Sequence, residues 1–327
     1  MFINEPFAIA WRLVALLLGF SMATLNASEV FGQDYPIKPI RIVSGELGGN
    51  VDFNARLIEP ALTSALGQQV IVDNRPTGII VGDIVAKAPP DGYTLLVAGG
   101  ILWIGALLQK VPYDPVIDFS PISLTTSSPT VLVVHPLVAA NSVKELIALA
   151  KSKPGELNYG SAGPGSAPHL AAELFKAMAG VNIVRISYRG AGPALNDLLG
   201  GQVQLMFSPA SPAMPHVKSG RLRALAVTSL QPSALLPGVP TVASSGVPGY
   251  ESSTIVGILA PAKTPDAIIN RLNQAIVRSL NTPDVKQKSL NAGMEVVGST
   301  PEQFAATMKS EMARLGKVIK DTGIRAE

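Results

Sequence analysis

The chain has 327 residues, 47% of them hydrophobic and 15% charged, with a formal net charge of +3. That length and apolar content suit two α/β lobes and argue against a disordered chain. The basic residues are scattered singly, which argues against a nucleic-acid footprint, and zero cysteines exclude disulfides, thiolate metal sites, a cysteine nucleophile and a lipidated N-terminal cysteine.

Arg12 ends a short leader, and residues 13–25 (LVALLLGFSMATL) form an apolar run of signal-peptide length, short for a bilayer span. Ala27 and Gly32 are small enough to precede a cleavage, so residues 1–33 are expected to be a signal peptide with its N-terminal extension. Glu5 offsets Arg12, which keeps an uncleaved anchor as the alternative.

Beyond the leader, strand, loop and helix alternate. Residues 40–43 read as a buried strand ending at Ser44-Gly45, and Glu46-Leu47-Gly48-Gly49-Asn50 as a loop. Phe53, Leu57, Leu62 and Leu66 approximate helical spacing up to Gly67. Residues 70–72 are the next strand, and Asn74-Arg75-Pro76 a structural turn. A helix over 82–88 stops at Pro89-Pro90-Asp91-Gly92, a strand covers 93–98, and Gly99-Gly100 opens a loop through Ile101-Leu102-Trp103-Ile104. Residues 131–134 are an apolar strand halted by His135-Pro136.

The same grammar continues. Ser142-Val143-Lys144-Glu145 is a capping box opening a helix over 143–152. A Gly/Ser loop after Gly160 leads to a helix over 167–178, and a strand follows at 183–187. Pro193 opens a short helix closed by Gly200-Gly201. Strands are predicted at 203–207, 222–227 and 255–259, a long amphipathic helix from Thr264-Pro265 to 280, and a capped helix from Thr300 to about Asp321.

Such alternation predicts parallel sheets covered on both faces, with ligands beyond the carboxyl ends of the strands. Several loops there carry Gly, Ser or Asn just before a helix, the chemistry of an anion cradle: glycine lets the backbone approach, and free N–H groups at a helix start point at bound oxygens. Each helix end contributes roughly 0.3–1 kcal/mol when exposed. Several converging ends with direct hydrogen bonds supply the ~8 kcal/mol of a micromolar complex. No fixed cation, cofactor or metal is called for; the histidines at 135, 169 and 216 have no metal-ligand spacing.

The order and spacing of several segments carry a family resemblance: Tyr35-Pro36-Ile37-Lys38-Pro39-Ile40-Arg41, Asn74-Arg75-Pro76, Ala88-Pro89-Pro90-Asp91-Gly92-Tyr93-Thr94, Val111-Pro112-Tyr113-Asp114-Pro115, Asn158-Tyr159-Gly160-Ser161-Ala162-Gly163 and Leu259-Ala260-Pro261. Over residues 35–323 the sequence resembles the tripartite tricarboxylate transporter substrate-binding proteins, the Bug family of periplasmic receptors. The resemblance implies a type II periplasmic-binding-protein fold, with residues 34–134 plus 255–327 as lobe one and 135–254 as lobe two. Residues 131–134 and 255–259 would be the two crossover strands bordering the ligand cleft. It implies a monomeric, exported receptor that holds a small organic or aromatic carboxylate and presents it to membrane permease subunits or a sensor.

Three departures shape the expected ligand. The family's usual Pro-Gly-Gly-Gly-Thr-Asp loop is Glu46-Leu47-Gly48-Gly49-Asn50-Val51-Asp52 here, keeping the glycine pair and the Asp. The segment after Gly100 is apolar, and Ser208 stands where many members carry Asp. The ligand is therefore expected to lack an amino group and to place an apolar or ring portion near Trp103.

The candidate contacts are Ser44, Gly48, Gly49, Asn50, Asp52, Gly100, Trp103, Ser161, Ala162, Gly163, Gly165, Ser166, His169, Arg189, Gly190, Ala191 and Ser208. Each has a plainer reading. Asp52 is as readily a helix cap, paired with Arg56; Trp103 is as readily core; the 161–166 stretch is also an ordinary strand-to-helix turn; Arg189 is more commonly exposed than bonded to a second carboxylate. Ser161 and His169 invite a hydrolase reading, the alternative function, but Gly160-Ser161-Ala162-Gly163 lacks the Gly-x-Ser-x-Gly elbow and Pro164 breaks any dinucleotide fingerprint.

Overall fold

In the computed structural model, which describes residues 35–45, 47, 50–75, 79–163 and 165–324, strand and helix alternate from Ile40 onward. The predicted leader, together with Glu46, Gly48, Gly49, Pro76 and Pro164, lies outside the described residues.

Strand β1 (Ile40–Ser44) runs parallel between β2 (Val70–Asn74) and β3 (Thr94–Gly99). Helix α1 (Asn50–Leu66) buries Ala55, Ile58, Leu62 and Leu66, a stripe at helical spacing. Of the predicted stripe, Phe53 and Leu57 are only half-buried. Helix α2 is Ile79–Ala86. Residues Ile101–Leu108 form a third helix, α3, where the Gly99-Gly100 pair predicts a loop. An almost wholly apolar octet has no polar face, so its sequence lacks the alternation that marks a surface helix.

Strand β4 (Phe119–Val134) is four times the predicted length. Its first part pairs antiparallel with β9 (Ser253–Pro261), up to Pro129 opposite Ser253; from Thr130 on it pairs with β7 (Leu205–Pro209) and, from Val131, with β8 (Arg223–Val227). Prolines and hydroxyl residues hide that first part, yet its hydroxyls are buried and bonded. Thr125 and Thr126 both donate to Asn54 Oδ1, at 2.8 and 2.9 Å, and Ser123 to the Ser299 carbonyl at 2.8 Å.

Strands β5 (Asn158–Ser161) and β6 (Val184–Ser187) pair in parallel, and β5 also pairs in parallel with β7. The sheet order is β2-β1-β3-β9-β4-β7-β5-β6, with β8 and β10 (Glu295–Val296) attached to β4. The sheet is mixed rather than parallel, because β4 and β9 run against their neighbours.

Helices α4 (Val143–Ser152), α5 (Ala167–Ala179) and α6 (Ala191–Leu199) agree with their sequence signals to within a few residues. At α4 the capping box is half formed. Ser142 Oγ accepts the Glu145 N–H at 3.2 Å, but Glu145 reaches back to the N–H of Asn141 rather than to that of Ser142. Helix α7 (Ala210–Lys218) is concealed by Pro212 and Pro215, and α9 (Pro283–Asn291) by its polarity. Helices α8 (Asp266–Leu280) and α10 (Pro301–Thr322) match expectation, α10 with a complete Thr300–Gln303 capping box. Phe304 of α10 packs on Gly257 of β9, where a Cβ would lie 2.4 Å from its ring.

Candidate functional site

The place where β4 changes partners is clamped by two buried threonines. Thr228 Oγ1 accepts the Thr130 N–H at 2.8 Å and donates to the Thr130 carbonyl at 2.9 Å, while the Thr228 carbonyl receives the Ser252 N–H at 2.8 Å. At Thr130, beside Ser252, β4 passes from β9 to β7 and β8, and residues 131–134 pair with those two strands.

Beside this crossing lies a cavity of about 270 Å³. Gly100, Ile101 and Ile104 at the start of α3 form one side, and Gly165, Ser166, Ala167 and Leu170 at the start of α5 form the other. Ser252, Ser253, Thr254 and Ile255 run along it, and Glu311 and Leu315 of α10 close it. Two candidate loops from opposite halves of the sheet thus share one space. Gly165 has φ +72°, a conformation that favours glycine, and a Cβ there would have to push aside the end of the Leu108 side chain 2.7 Å away. Ser166 caps α5 without using its side chain, and its buried Oγ has no partner.

Around this loop the side chains are committed to holding shape. His169 Nδ1 accepts the Gly165 N–H at 3.1 Å, so that nitrogen carries no proton. Burial, reinforced by the nearby Arg185 guanidinium, pushes its pKa down to about 4. Ser161 is fully buried, and its Oγ accepts from Arg185 Nε at 2.9 Å. Arg185 also donates to the Ala162 carbonyl at 2.8 Å. A hydroxyl held by a guanidinium has no base to activate it, so the Ser161–His169 pair is not a nucleophile and base. Arg185, which braces this loop, is not marked by its own sequence; alternation along β6 places it beside β5, but one strand's sequence does not reveal its neighbour.

Trp103 is fully buried, edge-on to Phe304 at 6.0 Å, and donates its Nε1–H to Glu311 Oε2 at 2.6 Å. This corrects the expected ligand platform: the indole is core, and Gly100, Ile101 and Ile104 of its helix face the cavity instead. Glu311 is itself buried, and desolvation raises its pKa; the Trp103 hydrogen bond and Arg314 oppose that rise, while Glu251 adds to it.

The remaining candidates lie elsewhere. Asp52 sits in the first turn of α1 rather than at its cap, with Oδ1 bonded by Arg56 Nε at 2.9 Å and Asn74 Nδ2 at 2.8 Å. Asn50 opens α1 exposed, and Ser44 is fully buried with an unpartnered Oγ. Gly190 precedes α6; Arg189 is exposed, and Ala191 is half-buried. Ala162 and Gly163 lie on the β5-to-α5 loop, and open space surrounds the Cβ position of Gly163. Ser208 is fully buried and donates to the Pro209 carbonyl at 3.1 Å. Gly48 and Gly49 are outside the described residues.

Two sheet halves joined by one strand, with helix starts facing each other across a crevice, define a two-lobed solute-binding protein. Residues 54–324 match the Tripartite tricarboxylate transporter family receptor (TctC) family, and the chain belongs to that family. It is 37% identical over 321 residues to BugT of Bordetella pertussis, covering 96% of this chain and 98% of the relative. It is also 37% identical over 323 residues to a UPF0065 protein of Pseudomonas sp. strain P51, covering 97% and 96%. Among solved structures, a TctC solute-binding protein from Polaromonas superposes with TM-score 0.80 at 28% identity, covering 88% of this chain and 99% of that one. An R. palustris protein solved with adipate gives TM-score 0.69 at 35% identity, covering 89% and 99%. MatC of Rhodopseudomonas palustris with bound malate gives 0.66 at 29%, covering 87% and 100%. The matched family is a receptor family and the Polaromonas neighbour a solute-binding protein, and the hydrolase alternative finds no support in either.

Proposed function

We propose that the chain is a periplasmic receptor that captures a small carboxylate in the crevice between two lobes and hands it to the permease subunits of a tripartite tricarboxylate-type transporter. The lobes are residues 34–134 plus 255–327 and residues 135–254, with the chain crossing near Thr130 and Ser252. The observation that carries this reading is the shared cavity: Gly100 from one half and Gly165–Ser166 from the other border the same space at helix starts. Main-chain N–H groups there suit acid oxygens without a fixed cation. Relatives solved with adipate and malate support the acid class.

The receptor works as an unlipidated monomer after cleavage of its leader, consistent with a chain that has no cysteine. Ser208, which stands where many members of the family carry an acid, is fully buried and bonded to the Pro209 carbonyl, so it offers no carboxylate to an amino group. Ser44, Gly48, Gly49, Asn50 and Asp52 are the proposed contacts from the first lobe, and Ser161, Ala162, Gly163, His169, Arg189, Gly190 and Ala191 those from the second. A thermal-shift screen of the mature protein against organic acids is the test. An acid at a hundredfold its Kd adds about 2.7 kcal/mol to stability. Stabilisation by amines or sugars with no response to any acid would refute the reading.

A further inference from the structure

The cavity beside the crossing has a neighbour of about 290 Å³, with which it shares Ser253, Ile255 and Glu311. Glu251, just ahead of β9, and Ser310 and Arg314 of α10 also line this second space, and in it one cation stands within reach of two acids. Arg314 Nη1 donates to Glu251 Oε2 at 2.9 Å. The two side chains are 23% and 41% exposed, so water screens part of their attraction. Glu311 precedes Arg314 by three positions on α10, which puts both on one helix face. Among the described residues no ion pair joins them, and Glu311 takes its hydrogen bond from Trp103 instead. Arg314 Nε is meanwhile buried without a partner, a donor whose desolvation nothing offsets.

Glu251 belongs to the segment that carries the chain into β9. The next residue, Ser252, donates its N–H to the Thr228 carbonyl at 2.8 Å, at the crossing itself. Resting on the receptor reading above, which puts Glu251 in lobe two and Arg314 in lobe one, we propose that Arg314 is a latch between the lobes, closed on Glu251 while Glu311 is protonated and drawn to Glu311 when that acid ionises. The drive is the buried position of Glu311. Neutral, it is served by the Trp103 N–H, and Arg314 is left to Glu251. Ionised, it is a buried charge with one neutral donor, and the cation three residues on, with an unused Nε, compensates it. Desolvation raises the Glu311 pKa, Trp103 and Arg314 oppose the rise, and Glu251 adds to it, so those three side chains are the ones against which the acid titrates. Tyr250 also feels the Arg314 charge, but burial pushes its pKa up, and its hydroxyl stays on the Ala171 carbonyl at 2.9 Å. Passing from Glu251 to Glu311 replaces a contact between lobes by one within α10, so rising pH frees the segment ahead of β9.

Two readouts test the latch, and neither needs a bound acid, so the acid screen decides the receptor reading separately. The first uses Trp103, the one tryptophan outside the leader, where Trp11 stands; its indole N–H reports the charge on Glu311. In an NMR pH titration of the mature protein, Glu251→Ala is expected to move the midpoint of the Trp103 signal to lower pH, because Arg314 then serves Glu311 alone. Added to Arg314→Gln, the same change is expected to leave the midpoint almost unmoved. Equal displacement in both backgrounds is the loss of a nearby charge and nothing more, and overturns the latch. The second readout is hydrogen exchange at the Ser252 amide, corrected for the intrinsic effect of pH. Exchange is expected to quicken about fivefold in Glu251→Ala, and by a similar factor in wild type as pH rises through the Trp103 midpoint, with no such step in Glu311→Gln. Exchange that ignores Glu251→Ala, or a step that survives Glu311→Gln, overturns the proposal. The wild-type pH series stands by itself if a variant does not fold: a flat profile refutes the latch.

Discussion

Trp103 Nε1 lies 2.6 Å from Glu311 Oε2, joining α3 to α10 through two buried side chains that are 208 residues apart in sequence. The pair fixes the α3 terminus that carries Gly100, and it keeps a carboxyl out of bulk water. Trp103→Phe retains most of the ring packing against Phe304 but leaves the acid short of a donor. The expected cost is about 1–3 kcal/mol of unfolding free energy, measured by urea denaturation. An unchanged midpoint would show that the hydrogen bond contributes nothing.

The raised pKa of Glu311 also sets a pH dependence. A carboxyl whose folded pKa lies above its unfolded value, ordinarily 4.5, stabilises the fold at low pH and loses that contribution as pH rises through the folded value. Glu311→Gln removes the loss. Its stability relative to wild type is therefore expected to improve from pH about 4 to pH about 7; a constant difference would contradict the assignment.

His169 acts with the opposite sign. Its pKa is depressed from 6.5 to about 4, so its stabilising effect is present above 6.5 and is lost as pH falls towards 4. Below that value the protonated ring can no longer accept the Gly165 N–H. Denaturation midpoints of wild type are expected to fall through this window, with a flatter profile for His169→Gln. NMR titration of the ring gives the pKa directly, and an ordinary value would refute the buried acceptor.

The Thr130–Thr228 clamp predicts a stability cost where β4 changes partners. Thr228→Val preserves shape but deprives the Thr130 N–H of its acceptor in a site without solvent, with an expected loss of about 1–3 kcal/mol by chemical denaturation. Thr228→Ser, which restores the hydroxyl, should recover most of it.

Much of the fold was legible in the sequence because its signals are local. The stripe ending at Leu62 and Leu66, the Thr300–Gln303 box and the apolar run at 131–134 each state their own structure. What failed was non-local. The hydroxyl-rich start of β4 looks like a loop until Asn54 and Ser299, distant in sequence, satisfy it. The α3 octet hides its helix because it is apolar on every side. The same division holds for the site: a glycine before a helix start could be seen at Gly165, whereas Gly100 was legible only as a loop glycine and Glu311 could not be placed beside either. Nothing in the 161–166 loop announces that Arg185 holds the Ser161 hydroxyl.

The most direct test is a crystal structure of the mature protein with the acid that stabilises it most. The account predicts one carboxylate with oxygens about 3 Å from main-chain nitrogens of both the Gly163–Ser166 turn and the loops ending β1 or β3. An acid bound outside the crevice, or held by Lys or Arg side chains with those turns facing away, would contradict it.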